Sequence, residues 1–167
     1  MQERPIVLLA AALAASIAVA GVTLPAIGMQ ENPEWHSFEL SVSTDGEAVS
    51  GHALTVAVDL RQGMLDPKTL RMAFLSLDIE DAQLVAASPG TNPWGYPTIW
   101  NVTDLDLTAV QRFTATIIPM GRGVLQLRAM VWTPRADVSG VPVDPTGHVN
   151  PAGVSVLESH SLYVTVG

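Results

Sequence analysis

The chain of 167 residues contains no cysteine. That excludes disulfide staples, thiolate metal sites, thiol catalysis and lipid attachment through an N-terminal cysteine, and it leaves burial to hold any fold together. Cations are nearly as scarce: Lys68 is the one lysine, and the arginines are scattered. With a net charge of −8 and no basic stripe, the chain has nothing to neutralise phosphates. Nucleic acid and anionic leaflets are therefore poor partners for it. Reactive patterns are missing too. There is no G-x-S-x-G elbow, no H-x-H or H-E-x-x-H, and no glycine-rich loop leading into a helix. The sequence reads as non-enzymatic, with no cofactor and no metal site.

One long apolar run is present. Pro5 to Gln30 is uncharged and rich in Ala, Val, Leu and Ile. As a signal peptide it has an n-region at Met1–Pro5 with Arg4, an h-region at Ile6–Ile17, and the small-x-small sequence Ala18-Val19-Ala20 ahead of Gly21. As a retained anchor, Ile6–Leu24 forms a hydrophobic helix of about 28 Å, enough to span a bilayer, before Pro25. Both readings stay open, and both send the remainder across a membrane. The division expected is a leader or anchor at 1–28, a linker at 29–36 and a single domain at 37–167.

Beyond the linker, period-two alternation recurs between turn signals, as strands require. Phe38, Leu40 and Val42 alternate with polar residues up to Asp45-Gly46. Leu54, Val56, Val58 and Leu60 do so up to Gly63. A third run sets Leu75, Leu77 and Ile79 against Ser76, Asp78 and Glu80. The Phe74–Leu75 pair breaks phase with Leu70 and Met72, which predicts a bulge or bend there. Gln83–Ser88 is a shorter strand, and Phe113, Ala115 and Ile117 lead to Pro119. Leu125, Leu127, Ala129 and Val131 follow Gly121-Arg122-Gly123, and Leu162, Val164 and Val166 make a final strand. No apolar face at helical spacing lasts three turns after residue 30. About seven to nine short strands in one domain predict an all-β antiparallel sandwich.

The order of features carries a resemblance. The stretch "LVAASPG" (84–90) is followed by Trp100 with Leu105 and Leu107 behind it. Then come "RFTATIIP" (112–119), "GRGVLQLRAMVW" (121–132) and "SHSLYVTVG" (159–167). Together they resemble the immunoglobulin-like β-sandwich modules of bacterial and archaeal surface proteins, in the broad class related to CARDB. The resemblance covers roughly Phe38 to Val166. It implies adhesion, spacing or assembly at the cell surface without catalysis, and a protein partner at the cell envelope. Two departures stand out: Thr108-Ala109-Val110 lies where members usually carry glycine, and the excursion after Trp132 is long. Pilin-like or archaellum-associated subunits, which join a hydrophobic helix to a sandwich head, are the second reading. A metal- or ligand-binding sandwich is the third.

Candidate sites are few. Ser88–Thr98 is a proline-braced loop carrying Trp94 and Tyr96 between Pro93 and Pro97. Rigid aromatics of this kind lose little entropy on contact and suit an interaction patch. The competing role for both is to fold back and cap the sandwich. Trp100, on a strand, belongs in the core. His36, His52, His148 and His160 are spread without ligand spacing. Asp104 and Asp106 share one face if the chain there is extended, a start toward calcium but not a site. Pro134 to Val156 is too long for a hairpin and predicts an ordered lobe or a partner-bound arm. Asn101-Val102-Thr103 is a formal glycosylation sequon.

Overall fold

A computed structural model describes residues 37–70, 72–90, 92–137 and 141–167. The leader, anchor and linker expected at 1–36, and with them His36, lie outside the described residues. Eight strands follow in order: β1 Phe38–Asp45, β2 Leu54–Gln62, β3 Phe74–Ile79, β4 Ala82–Ala87, β5 Ile99–Asn101, β6 Gln111–Pro119, β7 Gly123–Pro134 and β8 Val154–Val166. They form two four-stranded sheets with the orders β1-β2-β6-β4 and β5-β3-β7-β8. Every strand pairing is antiparallel. No α-helix occurs among the described residues, only single 3-10 turns at Pro67–Thr69 and Pro151–Gly153. The all-β sandwich is as expected.

Strand order says more. With β5 set aside, β1-β2-β6-β4 over β3-β7-β8 reproduces the A-B-E-D and C-F-G orders of the constant-type immunoglobulin sandwich. β5 is an extra three-residue strip added beside β3.

The alternation in β2, β6 and β7 places its apolar set between the sheets. Leu54, Val56, Val58 and Leu60 meet Phe113, Ala115 and Ile117 within one sheet, and Leu75, Leu77, Leu125, Leu127 and Val131 from the other. Trp100 is 1% exposed and belongs to the same core. Its indole N–H donates to the Ser88 carbonyl at 3.0 Å, and its ring lies 5.3 Å from that of Phe113. The β1–β2 turn closes the far end, where Ser50 N–H donates to Gly167 O and Gly167 N–H to Ala48 O.

The third run departs from expectation. No register shift occurs at Phe74–Leu75, and β3 pairs continuously with β7 from Phe74↔Trp132 to Ile79↔Leu127. The phase break arises because both faces of β3 are buried. Leu75 points into the main core, whereas Phe74 joins a second cluster with Ile99, Met130, Trp132, Val143 and Val154. Ser76, expected on a wet face, is 1% exposed, and its hydroxyl accepts the Trp132 indole N–H at 3.2 Å. The bulges fall elsewhere, between Leu84 and Ala86 on β4 and opposite Val131/Trp132, where Leu157 is the extra residue of β8. That bulge hides the start of β8, which begins at Val154 rather than near Leu162. Just beyond it, Glu158 and His160 stand in register with Val131 and Ala129, on the face that β7 turns toward the core.

Between β3 and β4 the chain switches sheets through Glu80-Asp81, with Asp81 at φ 59. This left-handed conformation is one that aspartate tolerates better than most residues.

Gly90 is required by packing. A Cβ there would sit 2.1 Å from Trp100 Cδ1. Gly90→Ala must push the loop or the indole away, and it should destabilise the fold by roughly 1–3 kcal/mol. Urea unfolding followed by tryptophan fluorescence measures this.

Candidate functional site

Two irregular segments, 92–98 and 141–153, meet over the outer face of the β5-β3-β7-β8 sheet. Their meeting forms the second cluster. Trp94, Tyr96 and Val149 pack on it from outside. Trp94 makes an edge contact with Phe74 at 4.9 Å between ring centroids and a tilted contact with Trp132 at 5.5 Å. Such aromatic contacts add about 0.5–1.5 kcal/mol each beyond burial. Trp94 and Tyr96 are half-buried as a result, while Pro93 and Pro97 remain exposed. The four residues expected to form a contact patch thus divide into two aromatics turned onto the sheet and two prolines facing solvent.

The segments are shaped by a turn pattern not singled out in the sequence. Asn92-Pro93-Trp94-Gly95, Asp144-Pro145-Thr146-Gly147 and Asn150-Pro151-Ala152-Gly153 share the form Asx-Pro-x-Gly. Asn92 Oδ1 accepts from Trp94 N–H and Tyr96 N–H. Asp144 Oδ1 accepts from Thr146 N–H and His148 N–H in the same relation. Asn150 Oδ1 accepts from Ala152 N–H. In each case the proline presets φ, and the side chain replaces a backbone partner. Asn92 also donates through Nδ2 to the carbonyls of Tyr96 and Ile99, fixing the loop to the start of β5.

The segments are joined by Tyr96, whose hydroxyl donates to the Asp144 carbonyl at 3.0 Å. Its ring packs against Gly147, which has φ +92, and a Cβ there would come within 2.8 Å of Tyr96 Cδ1. Only glycine suits both the conformation and the contact. Val143 and Val149 form a short bridge inside the excursion, and Arg135 N–H donates to Gly153 O across its base. Residues 141–153 of the excursion fold as a lobe on these contacts.

Below the lobe a groove of about 200 Å³ opens at the sandwich edge. It is lined by Leu77, Asp78 and Ile79 of β3, Ala82 and Leu84 of β4, Tyr96 to Thr98, and Thr146 to His148. Asp78 sits on its outer side, 20% exposed, with His148 Nδ1 at 3.7 Å. Burial pushes the Asp78 carboxyl above its usual range, and the neighbouring His148 and Arg128 oppose that rise. Asp144 moves the other way. The Thr146 hydroxyl holds its carboxyl below the usual range, and the amides of His148 and Thr146 add to this.

The remaining candidates do not converge. Asp104 lies in a turn, and neither it nor Asp106 belongs to a strand, so the extended segment on which their shared face depends is not formed there. Asp106 Oδ1 is engaged by the hydroxyl and amide of Thr108. His52 and His160 are exposed and far apart in the fold. Among the described residues, no three metal-ligating side chains come together. No described helix is long and apolar enough to cross a membrane.

Two outcomes are expected. Trp94→Ala removes a ring from the second cluster and should cost about 2 kcal/mol, less than for a fully buried tryptophan; Tyr96→Phe, which loses one hydrogen bond, should cost about 1 kcal/mol. Thermal unfolding of both variants measures this, and unchanged melting temperatures would show that neither the Trp94 ring nor the Tyr96 hydroxyl supports the fold. For Asp78, a folded-state pKa raised by burial favours the fold at acid pH. That contribution is complete below the unfolded carboxylate range and is lost as pH rises through the folded value. Asp78→Asn should therefore gain in stability relative to the parent between acid and neutral pH, as read by melting temperature across that window.

No family model and no curated protein matches the chain. Among solved structures it is similar to AggA, the major subunit of aggregative adherence fimbriae type I from Escherichia coli. The identity is 9%, the TM-score 0.38, and the match covers 78% of this chain and 95% of that one. It is also similar to the ASH/PapD-like domain 7 of human CEP192, at 12% identity and TM-score 0.32 over 80% of this chain and 84% of that one. At these TM-scores neither likeness carries a functional inference, and the immunoglobulin-like assignment rests on strand order.

Proposed function

We propose that the chain is a non-enzymatic immunoglobulin-like module, exported by its hydrophobic leader or held by it as an anchor, that binds a protein partner at the cell envelope. The observation that carries this reading is the investment of sequence in one end and one outer face of the sandwich. Three Asx-Pro-x-Gly turns, a second apolar cluster and the Tyr96–Asp144 link fix two long loops in place. Rigid loops on a sandwich are the usual means by which such folds present a contact surface. Preorganisation lowers the entropy lost on binding.

The contact surface differs in detail from four equal residues. Pro93 and Pro97 face outward with the backbone of Gly95, while Trp94 and Tyr96 hold that surface from below. Aromatics turned inward still serve recognition, because they set the position of the rim. Membership of the CARDB-related class is part of the same proposal, supported by the strand order and by the run of motifs from Leu84 to Val166.

A photo-crosslinking amino acid placed at position 93 tests it in the native host. A discrete adduct in the envelope fraction is expected from this position, and none from position 47, in the turn at the far end. Equal labelling from both positions, or recovery of the unprocessed chain in the cytosol, would contradict the proposal.

A further inference from the structure

β5 is shorter than the strand it accompanies. It pairs with Phe74, Leu75 and Ser76 of β3 and with nothing beyond them. One more hydrogen bond, from Leu77 N–H to Thr98 O at 3.0 Å, continues its line. The chain then leaves this line in a turn, where Ile99 N–H donates to Tyr96 O at 3.2 Å. Among the described residues, no strand therefore flanks the outer half of this β3 edge, while β7 pairs the opposite edge through Ile79. The groove under the lobe lies at this position.

Its two sides match the two faces of a strand. On the inner side, Leu77, Ile79, Ala82 and Leu84 make an apolar floor continuous with the main core. On the outer side stands Asp78, with Glu80 and Asp81 following at the corner. Arg128 faces Asp78 in register across β7, His148 reaches it from the lobe, and Asp81 lines a separate pocket with Arg122. Asp78 and Glu80 outnumber the single guanidinium, Arg128, and leave this rim negative. An alternating segment would place an apolar side chain on the floor and the next side chain against the carboxylates.

We propose that this groove takes an extended segment of the partner protein, added beyond Thr98 at the Ile79 end of the β3 edge, with apolar side chains inward and a lysine or arginine toward Asp78. The proposal rests on the module reading above and names the chemistry of the partner. Backbone hydrogen bonds supply the affinity, the floor selects for alternation, and Asp78 selects for charge. The bulge on β4 turns its edge at Val85, which leaves β3 as the straighter template.

The test is an NMR titration of the isotopically labelled full chain with the capped peptide Thr-Val-Lys-Val-Thr, and with the same peptide carrying glutamate for lysine. Saturable shifts are expected at the amides of Leu77, Asp78, Ile79, Leu84 and His148. The affinity should be about threefold weaker for the glutamate peptide and for Asp78→Asn, and weaker in high salt. Asp78→Asn is checked for folding from the dispersion of its own amide spectrum. Ile79→Ser provides a second variant that removes the floor without touching charge, and it should weaken both peptides equally. Absence of shifts at millimolar peptide, shifts confined to other edges, or equal binding of both peptides would overturn the proposal. The crosslink at position 93 separates the two ideas. Failure of the peptides with the adduct retained removes the groove but leaves the module. Binding of the lysine peptide without an adduct keeps the groove and removes the envelope partner.

Discussion

The packing of Phe74 against Trp132 is the contact on which the outer half of this molecule depends. These two residues are opposite each other on β3 and β7, with ring centroids 5.0 Å apart, and they point away from the sandwich interior. An antiparallel sheet in a sandwich ordinarily leaves such a face to water. Here the face is apolar, so it needs a cover, and the two long loops supply one. Trp94, Tyr96, Val143, Val149 and Val154 close over the pair. The lobe is thus a consequence of two aromatic residues on the outside of a sheet. Its stiffness, its turns and the groove at its margin follow from having to fit that surface.

Polar groups inside this cover are matched. The Trp132 indole N–H has the Ser76 hydroxyl, and the Tyr96 hydroxyl has the Asp144 carbonyl. Among the described residues no buried side-chain nitrogen or oxygen lacks a partner. A buried donor without an acceptor would cost about 1–3 kcal/mol. Matching each one makes it affordable to set large aromatic rings under loops that carry many backbone amides.

Much of the sandwich was legible from alternation alone. Leu54 to Leu60, Phe113 to Ile117 and Leu125 to Ala129 each have one buried and one wetter face, so period two identifies strand and core together. β3 was misread because a strand buried on both faces loses that period. A polar Ser76 in such a strand looks like solvent-facing sequence until its partner, Trp132, is known. The beginning of β8 was hidden for a different reason: the bulge at Leu157 inverts the phase, so the short alternation Val154-Ser155-Val156 does not continue into the rest of the strand. The turns were within reach, since Asx-Pro-x-Gly occurs three times and has a known mechanism. The pairing of Asp78 with His148 was not. It joins a strand to a lobe across a fold whose topology is needed before either residue has a neighbour.

β8 has a further consequence for how copies of this chain treat one another. It is the longest strand and lies at the end of its sheet, where an uncovered rim of amides and carbonyls would invite zippering between molecules. Its bulge kinks that rim, and the ionisable Glu158 and His160 occupy positions that a continuous intermolecular sheet would have to dehydrate. A long rim guarded in this way beside a short one left bare on β3 sorts visitors by kind: self-stacking is discouraged, and a brief foreign strand is admitted.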